Sequence, residues 1–169
     1  MSDIEQLKLA IQKTPNDPAL YYNLGGLYLS ALQFDHAMAS YTQALKLAPS
    51  HPQILLQLGN TAFAANQYES AADYFRQCLQ TSPNNPAAHY NLGNAFRELG
   101  KLQEAIACYQ QTLVLTPKDA DTHNNLGNVY RELGQLDKAV DCYQKALSCN
   151  PKLYHALAHL IHQKQPHLY

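Results

Sequence analysis

Three kinds of side chain in this sequence stand at spacings that could do chemistry. His155, His159 and His162 follow an i, i+4, i+7 pattern, so on a helix they share one face. Three imidazoles so placed could ligate Zn or Ni, but no fourth ligand is evident, and a polar face on a capping helix explains them equally well. Asn91 and Asn125 are 34 residues apart, and so are Asn94 and Asn128. A carboxamide offers two donors and an acceptor with two lone pairs. A row of them could grip both the N–H and the C=O of an extended backbone whatever its side chains, or could simply tie helix to helix. The third kind is cysteine: Cys78, Cys108, Cys142 and Cys149. No CxxC pair occurs. Cys142 and Cys149 would lie about 10 Å apart on one helix, beyond disulfide reach. Reduced, partly buried thiols are expected. No Walker loop, Ser/His/Asp set or paired-acid set stands out.

The elements that would position these residues follow from a repeat. Leu24-Gly25, Leu58-Gly59, Leu92-Gly93 and Leu126-Gly127 recur every 34 residues. Three further columns keep the same period: Pro49, Pro83, Pro117 and Pro151; Ala37, Ala71, Ala105 and Ala139; and the aromatics Tyr41, Phe75, Tyr109 and Tyr143. Four columns at one period define units at 18–51, 52–85, 86–119 and 120–153.

Each unit reads as two helices. Asp17-Pro18, Asn85-Pro86 and Asp119-Ala120 are N-cap signals, whereas His51-Pro52 keeps the proline with a poorer cap. Gly100 and Gly134 suit the left-handed residue that closes a first helix. Asn66 can take that conformation at some cost, and Leu32 departs from the pattern. Asp35, Glu69, Glu104 and Asp137 favour the positive end of each second helix. The Gly and Ala columns would let paired helices approach, with Leu, Tyr and Phe filling the space between neighbouring pairs. Since one pair cannot bury both its faces, the units must stack.

Composition agrees. Apolar residues make up 46%, charged ones 15%, and the net charge is −1. That leaves no basic excess for nucleic acid or for a polybasic membrane anchor. No apolar run reaches the roughly 18–20 residues of a membrane span. The start, MSDIEQLKLA, has acids where a signal peptide needs Lys or Arg, so a cytoplasmic chain is expected.

The repeat resembles the tetratricopeptide repeat (TPR) over essentially the whole chain. The resemblance implies an all-α, right-handed superhelix of four full repeats. Residues 1–17 fit a second helix alone, with Ile4, Leu7, Ala10 and Ile11 as its stripe, and residues 154–169 a capping first helix with Leu157 and Leu160 in register. The chain would then end midway through a unit, as a truncated product of a longer one would.

In that family the first helix of each unit lines a concave groove through its second, fifth, sixth, ninth and twelfth positions. Carried over, these are Ala19, Tyr22, Asn23, Gly26 and Leu29; Gln53, Leu56, Gln57, Asn60 and Phe63; Ala87, Tyr90, Asn91, Asn94 and Arg97; and Asp121, Asn124, Asn125, Asn128 and Arg131. The groove would be greasy early and amide-rich late. The chaperone-tail clamp of some TPR proteins needs Lys early in the groove, where Tyr22, Gly26, Gln57 and Ala87 stand instead. The segments HYNLGN and HNNLGN, with His89 and His123 where TPRs generally prefer Trp, look like repeats of the O-GlcNAc transferase and SPINDLY glycosyltransferases. The stretch HALAHLIHQKQPHLY is similar to the one joining repeats to the catalytic region in bacterial members, whereas Tyr21 and Leu55 depart from the His column. No βαβ pattern of a nucleotide-sugar transferase is present. The expectation is a non-enzymatic module without cofactor that binds protein or peptide partners in extended conformation, either as the substrate-presenting arm of such an enzyme or as a scaffold. Self-association through exposed terminal helices is also expected.

Overall fold

The computed structural model describes residues 1–153, which hold nine α-helices and a short 3-10 turn. The expected helix at 154–169, with its three histidines and its role in self-association, lies outside the described residues. The helices are α1 Asp3–Lys13, α2 Pro18–Ser30, α3 Phe34–Leu47, α4 Pro52–Ala64, α5 Tyr68–Thr81, α6 Pro86–Glu98, α7 Leu102–Leu115, α8 Ala120–Glu132 and α9 Leu136–Cys149. No strand occurs among the described residues. The chain is an all-helical solenoid in which α2–α3, α4–α5, α6–α7 and α8–α9 pack as pairs and each pair stacks on the next.

The helix starts follow the sequence. Asp17, Asn85 and Asp119 accept backbone N–H bonds from Ala19, Ala88 and Asp121, and His51 gives no side-chain cap. Each first helix stops in the same way. In the first, the N–H of Gln33 bonds the carbonyl of Tyr28 and that of Leu32 bonds Leu29, and this double closure recurs at Asn66–Gln67, Gly100–Lys101 and Gly134–Gln135. It needs a left-handed residue. Gly100 and Gly134 supply one freely, while Leu32 and Asn66 adopt φ of 58° and 61°.

Two clusters fill most of the solenoid's interior. One runs from α1 to α4 around Leu24, Tyr41 and Leu58; the other runs from α4 to α9 around Phe75, Leu92 and Tyr109. The aromatic column does not only fill space between pairs, as the sequence suggests. Each ring lies on the glycine of its own pair. A Cβ on Gly25 would stand 2.8 Å from Tyr41, and one on Gly93 or Gly127 would stand 2.7 Å from Tyr109 or Tyr143. A bare backbone is the only surface a ring can approach so closely. In α1 the expected stripe, Ile4, Leu7, Ala10 and Ile11, is half-buried, and no residue of that helix is fully buried. Its other faces are exposed and mainly polar, and Ser2 and Glu5 close its start with a capping box.

Candidate functional site

The residues expected to face the groove all stand on successive first helices, but most of the asparagines among them are not free. The Asn91 amide donates to Asn60 Oδ1 at 2.8 Å, across one repeat. The Asn125 amide donates to Asn94 Oδ1 at 3.1 Å and to the Tyr90 hydroxyl at 2.9 Å. Tyr109 donates its hydroxyl hydrogen to Asn94 Oδ1, and Tyr143 donates to Asn128 Oδ1 at 2.7 Å. Burial raises the Tyr90, Tyr109 and Tyr143 hydroxyls, opposed at Tyr109 by Arg97 and at Tyr143 by Arg131 and Arg97, so all three phenols stay protonated, Tyr109 and Tyr143 as donors and Tyr90 as the acceptor from Asn125. Much of the ladder's hydrogen-bonding capacity is therefore spent between and within repeats. The carbonyl oxygens of Asn91 and Asn125 have no partner among the described residues and remain as acceptors for a ligand N–H.

The remaining residues divide. Tyr22 stacks edge-on against Tyr41 and accepts a long 3.4 Å bond from Gln53. Asn23 is exposed and Gln57 half-buried. Leu56 does not face an open groove: it is 7% exposed and belongs to the larger core cluster, because an apolar side chain at that position turns into the space between pairs. Asn124 Oδ1 is buried without a partner. Arg97 sends Nε and Nη2 to Glu132 of the next unit, the shorter contact at 2.5 Å, while Arg131 is exposed.

Two of the surface hollows open beside the fifth residue of a first helix. Where it is Tyr90, a mainly apolar hollow of about 650 Å³ forms over Pro86, Ala87, Asn91, the end of α7 and Pro117–Asp119. Where it is Tyr22, a smaller hollow of about 260 Å³ lies over Pro18, Ala19, Ala48 and His51. The two are the same place two repeats apart.

Two roles were not read from the sequence. The His column is a pin: His89 and His123 bond the carbonyls of Pro83 and Pro117 through Nε2 at 2.8 and 2.9 Å. A carbonyl only accepts, so Nε2 carries the hydrogen. Tyr21 does the same with its hydroxyl to Pro15 at 2.9 Å, and Leu55 cannot. The phenols of Tyr109 and Tyr143, read only as core, are polar partners of the asparagine fifteen residues earlier. That fixed offset, Asn94–Tyr109 and Asn128–Tyr143, was the available signal.

The thiols are buried or half-buried and unpaired. Burial raises Cys78 and Cys142 and pushes Cys108 up to about 11. Among the described residues no group of three His, Cys, Asp or Glu could hold a metal ion, and no helix is long and apolar enough to cross a membrane.

No curated protein matches this sequence. Solved structures do match in fold. The crystal structure of MamA superposes with a TM-score of 0.83 at 23% identity, over 90% of this chain and 89% of that one. MamA 41-end from Desulfovibrio magneticus RS-1 gives 0.84 at 22% identity, over 88% and 84%. MamA AMB-1 gives 0.80 at 22%, over 88% of each chain. Tetratricopeptide-repeat sequence profiles match residues 22–86, 74–107, 93–134 and 120–153. Those matches run without a gap along the stacked helix pairs, and the chain is a tetratricopeptide-repeat protein, built of non-catalytic protein-interaction repeats.

Proposed function

We propose that the concave face of the first helices binds a partner polypeptide in extended conformation, in the cytoplasm, with units at 18–51, 52–85, 86–119 and 120–153 each adding one step to the groove. The observation that carries this reading is the apolar hollow beside Tyr90, flanked by Asn91, whose carbonyl oxygen is an unspent acceptor. An apolar side chain would fill the hollow while its own backbone N–H meets a carboxamide. Tyr22, Asn23, Gln57, Asn60, Asn94, Asn124, Asn125 and Asn128 continue the wall on either side. Binding of labelled, uncharged peptides by fluorescence polarisation tests it. Tyr90→Ala should weaken every such peptide at least fivefold while the helical CD signal is kept. Unchanged affinities would remove the groove from consideration.

A finer reading makes the repeats the substrate-presenting region of an O-GlcNAc transferase-like enzyme, favoured by the HYNLGN and HNNLGN segments. Its strength is reduced by the finding that His89 and His123 pin loops, a role any repeat protein can use. The 169-residue chain alone should not turn over UDP-GlcNAc; peptides that it binds should include acceptors of such an enzyme. A scaffold that joins or self-associates with other proteins would instead show one tight partner and silence on a peptide array.

A further inference from the structure

Across the last two units the walls of the groove differ in charge. The start of α8 carries Asp119 and Asp121, and its end carries Arg131, ten residues or about 15 Å beyond Asp121. The neighbouring first helix ends likewise on Arg97. Leu29 and Phe63 hold the same position in the first two units, so the positive wall is confined to this half of the groove. The two arginines are not equivalent. Arg97 is offset by Glu132, whereas Arg131 is exposed and forms no ion pair among the described residues. Arg97 and Arg131 lie three residues beyond Asn94 and Asn128 on their helices, so each shares a face with the asparagine that accepts a bond from Tyr109 or Tyr143. On α6, Tyr90 lies seven residues before Arg97, about 10 Å along the axis.

An extended chain sends successive side chains to opposite sides. A residue whose side chain enters the Tyr90 hollow therefore leaves its neighbours at odd offsets pointing towards the arginine wall. The rim of the hollow carries one charge of each sign, Lys118 and Asp119, so the sign is set at the arginine wall, where a lysine meets a like charge and a carboxylate meets an exposed guanidinium.

We infer that the groove of the third and fourth units selects an extended segment of a partner protein that combines an apolar anchor, seated in the Tyr90 hollow, with a carboxylate one or three residues away that pairs with Arg131. The ground for this occupant is charge complementarity. The inference rests on the groove reading above and adds to it a sign and a spacing.

Three labelled peptides of about twelve residues test it: one with a single Phe and Glu at offsets one and three, a twin with Lys for Glu, and an uncharged twin with Gln. The Glu peptide should bind about tenfold tighter than the Lys peptide at low salt, and the gap should close at high salt. Arg131→Ala should weaken the Glu peptide about two- to fivefold, the range of an exposed ion pair. Arg131→Glu should remove or invert the preference. That side chain is exposed and outside the core, so both variants should keep the native melting temperature. Equal binding of Glu and Lys peptides, or a preference that survives Arg131→Glu, overturns the inference. If the uncharged peptide binds and Tyr90→Ala abolishes it, the groove reading stands even then. If none of the three binds, both fall together.

Discussion

Gly59 and Gly26 are both helical glycines, yet they should answer oppositely to the same substitution. Alanine normally gains about 1 kcal/mol over glycine inside a helix. At Gly59 the added Cβ would collide with the Phe75 ring, whereas at Gly26 it would meet only the Tyr41 hydroxyl oxygen, at 3.7 Å. Overpacking costs about 1–3 kcal/mol. Gly59→Ala should therefore destabilise by up to about 2 kcal/mol and Gly26→Ala should stabilise by up to about 1 kcal/mol, both measured by urea unfolding. The Gly59 column was legible in the sequence because a period of 34 singled it out, but its partner was not. The glycine and the aromatic of one contact are sixteen residues apart, and only the docked pair shows that they touch. The asparagines were legible as a column, but whether they grip a ligand backbone or tie helix to helix was not. Whether a carboxamide is spent depends on a neighbour 31 residues away, which no local pattern encodes. Asn125→Ala removes bonds to Tyr90 and Asn94, so it should cost about 1–3 kcal/mol at the usual net worth of such bonds. Asn23→Ala, at an exposed residue with no recorded bond, should change stability by less than about 0.5 kcal/mol.

Helix boundaries were the most legible level, since caps, prolines and closing glycines are local. Leu32 is the exception. Its side chain is 72% exposed and its backbone is left-handed, a conformation that Leu disfavours by about 1–2 kcal/mol. Nothing local asks for it. The short connection from α2 to α3 and the double closure by Leu32 and Gln33 impose it, so packing overrides preference. Leu32→Gly should relieve that strain against a smaller loss of unfolded-chain restriction, a net gain of about 0.5–1 kcal/mol. A rise in the melting temperature with unchanged helical CD checks it; a fall would mean that the leucine side chain holds the turn. The joint between α3 and α4 is also poorly equipped: Ser50 is left-handed, His51 gives no side-chain cap, and Leu55 cannot make the loop pin.

At the scale of the whole molecule, burial ties several weak acids to the fold. Cys108 is pushed from 9.0 to about 11 and Tyr41 from 10.0 to about 12, each chiefly by loss of water. The folded chain thus holds both groups neutral where the unfolded chain would ionise them. Their contribution is complete below about pH 9 and is lost as pH rises from there through about 11 to 12. The urea midpoint should be level between pH 7 and 8.5 and drop at pH 10.5. A midpoint that stays level to pH 11 would show that these groups reach water in the native state. Fold class was legible at this scale because periodicity fixes it. The hollows of the groove were not, since the same position lines one as Tyr at residues 22 and 90 and is buried in the core as Leu at residue 56, which only the packed helices show.

The two kinds of tie in this solenoid have different consequences for how its gene could grow. The glycine–aromatic contact is private to a unit and travels with it in any duplication. The carboxamide tie spans a border, from Asn60 to Asn91 and from Asn94 to Asn125. A second copy of residues 86–119, inserted after the first, would find both of its borders already matched and would lengthen the amide-rich stretch by one step. A copy of residues 52–85 inserted after the first unit would keep the existing border, where Gln57 faces Gly26, and add one that sets Gln57 against Asn60. Tandem duplication of the third unit therefore reproduces a matched Asn–Asn border, whereas duplication of the second adds a Gln–Asn one.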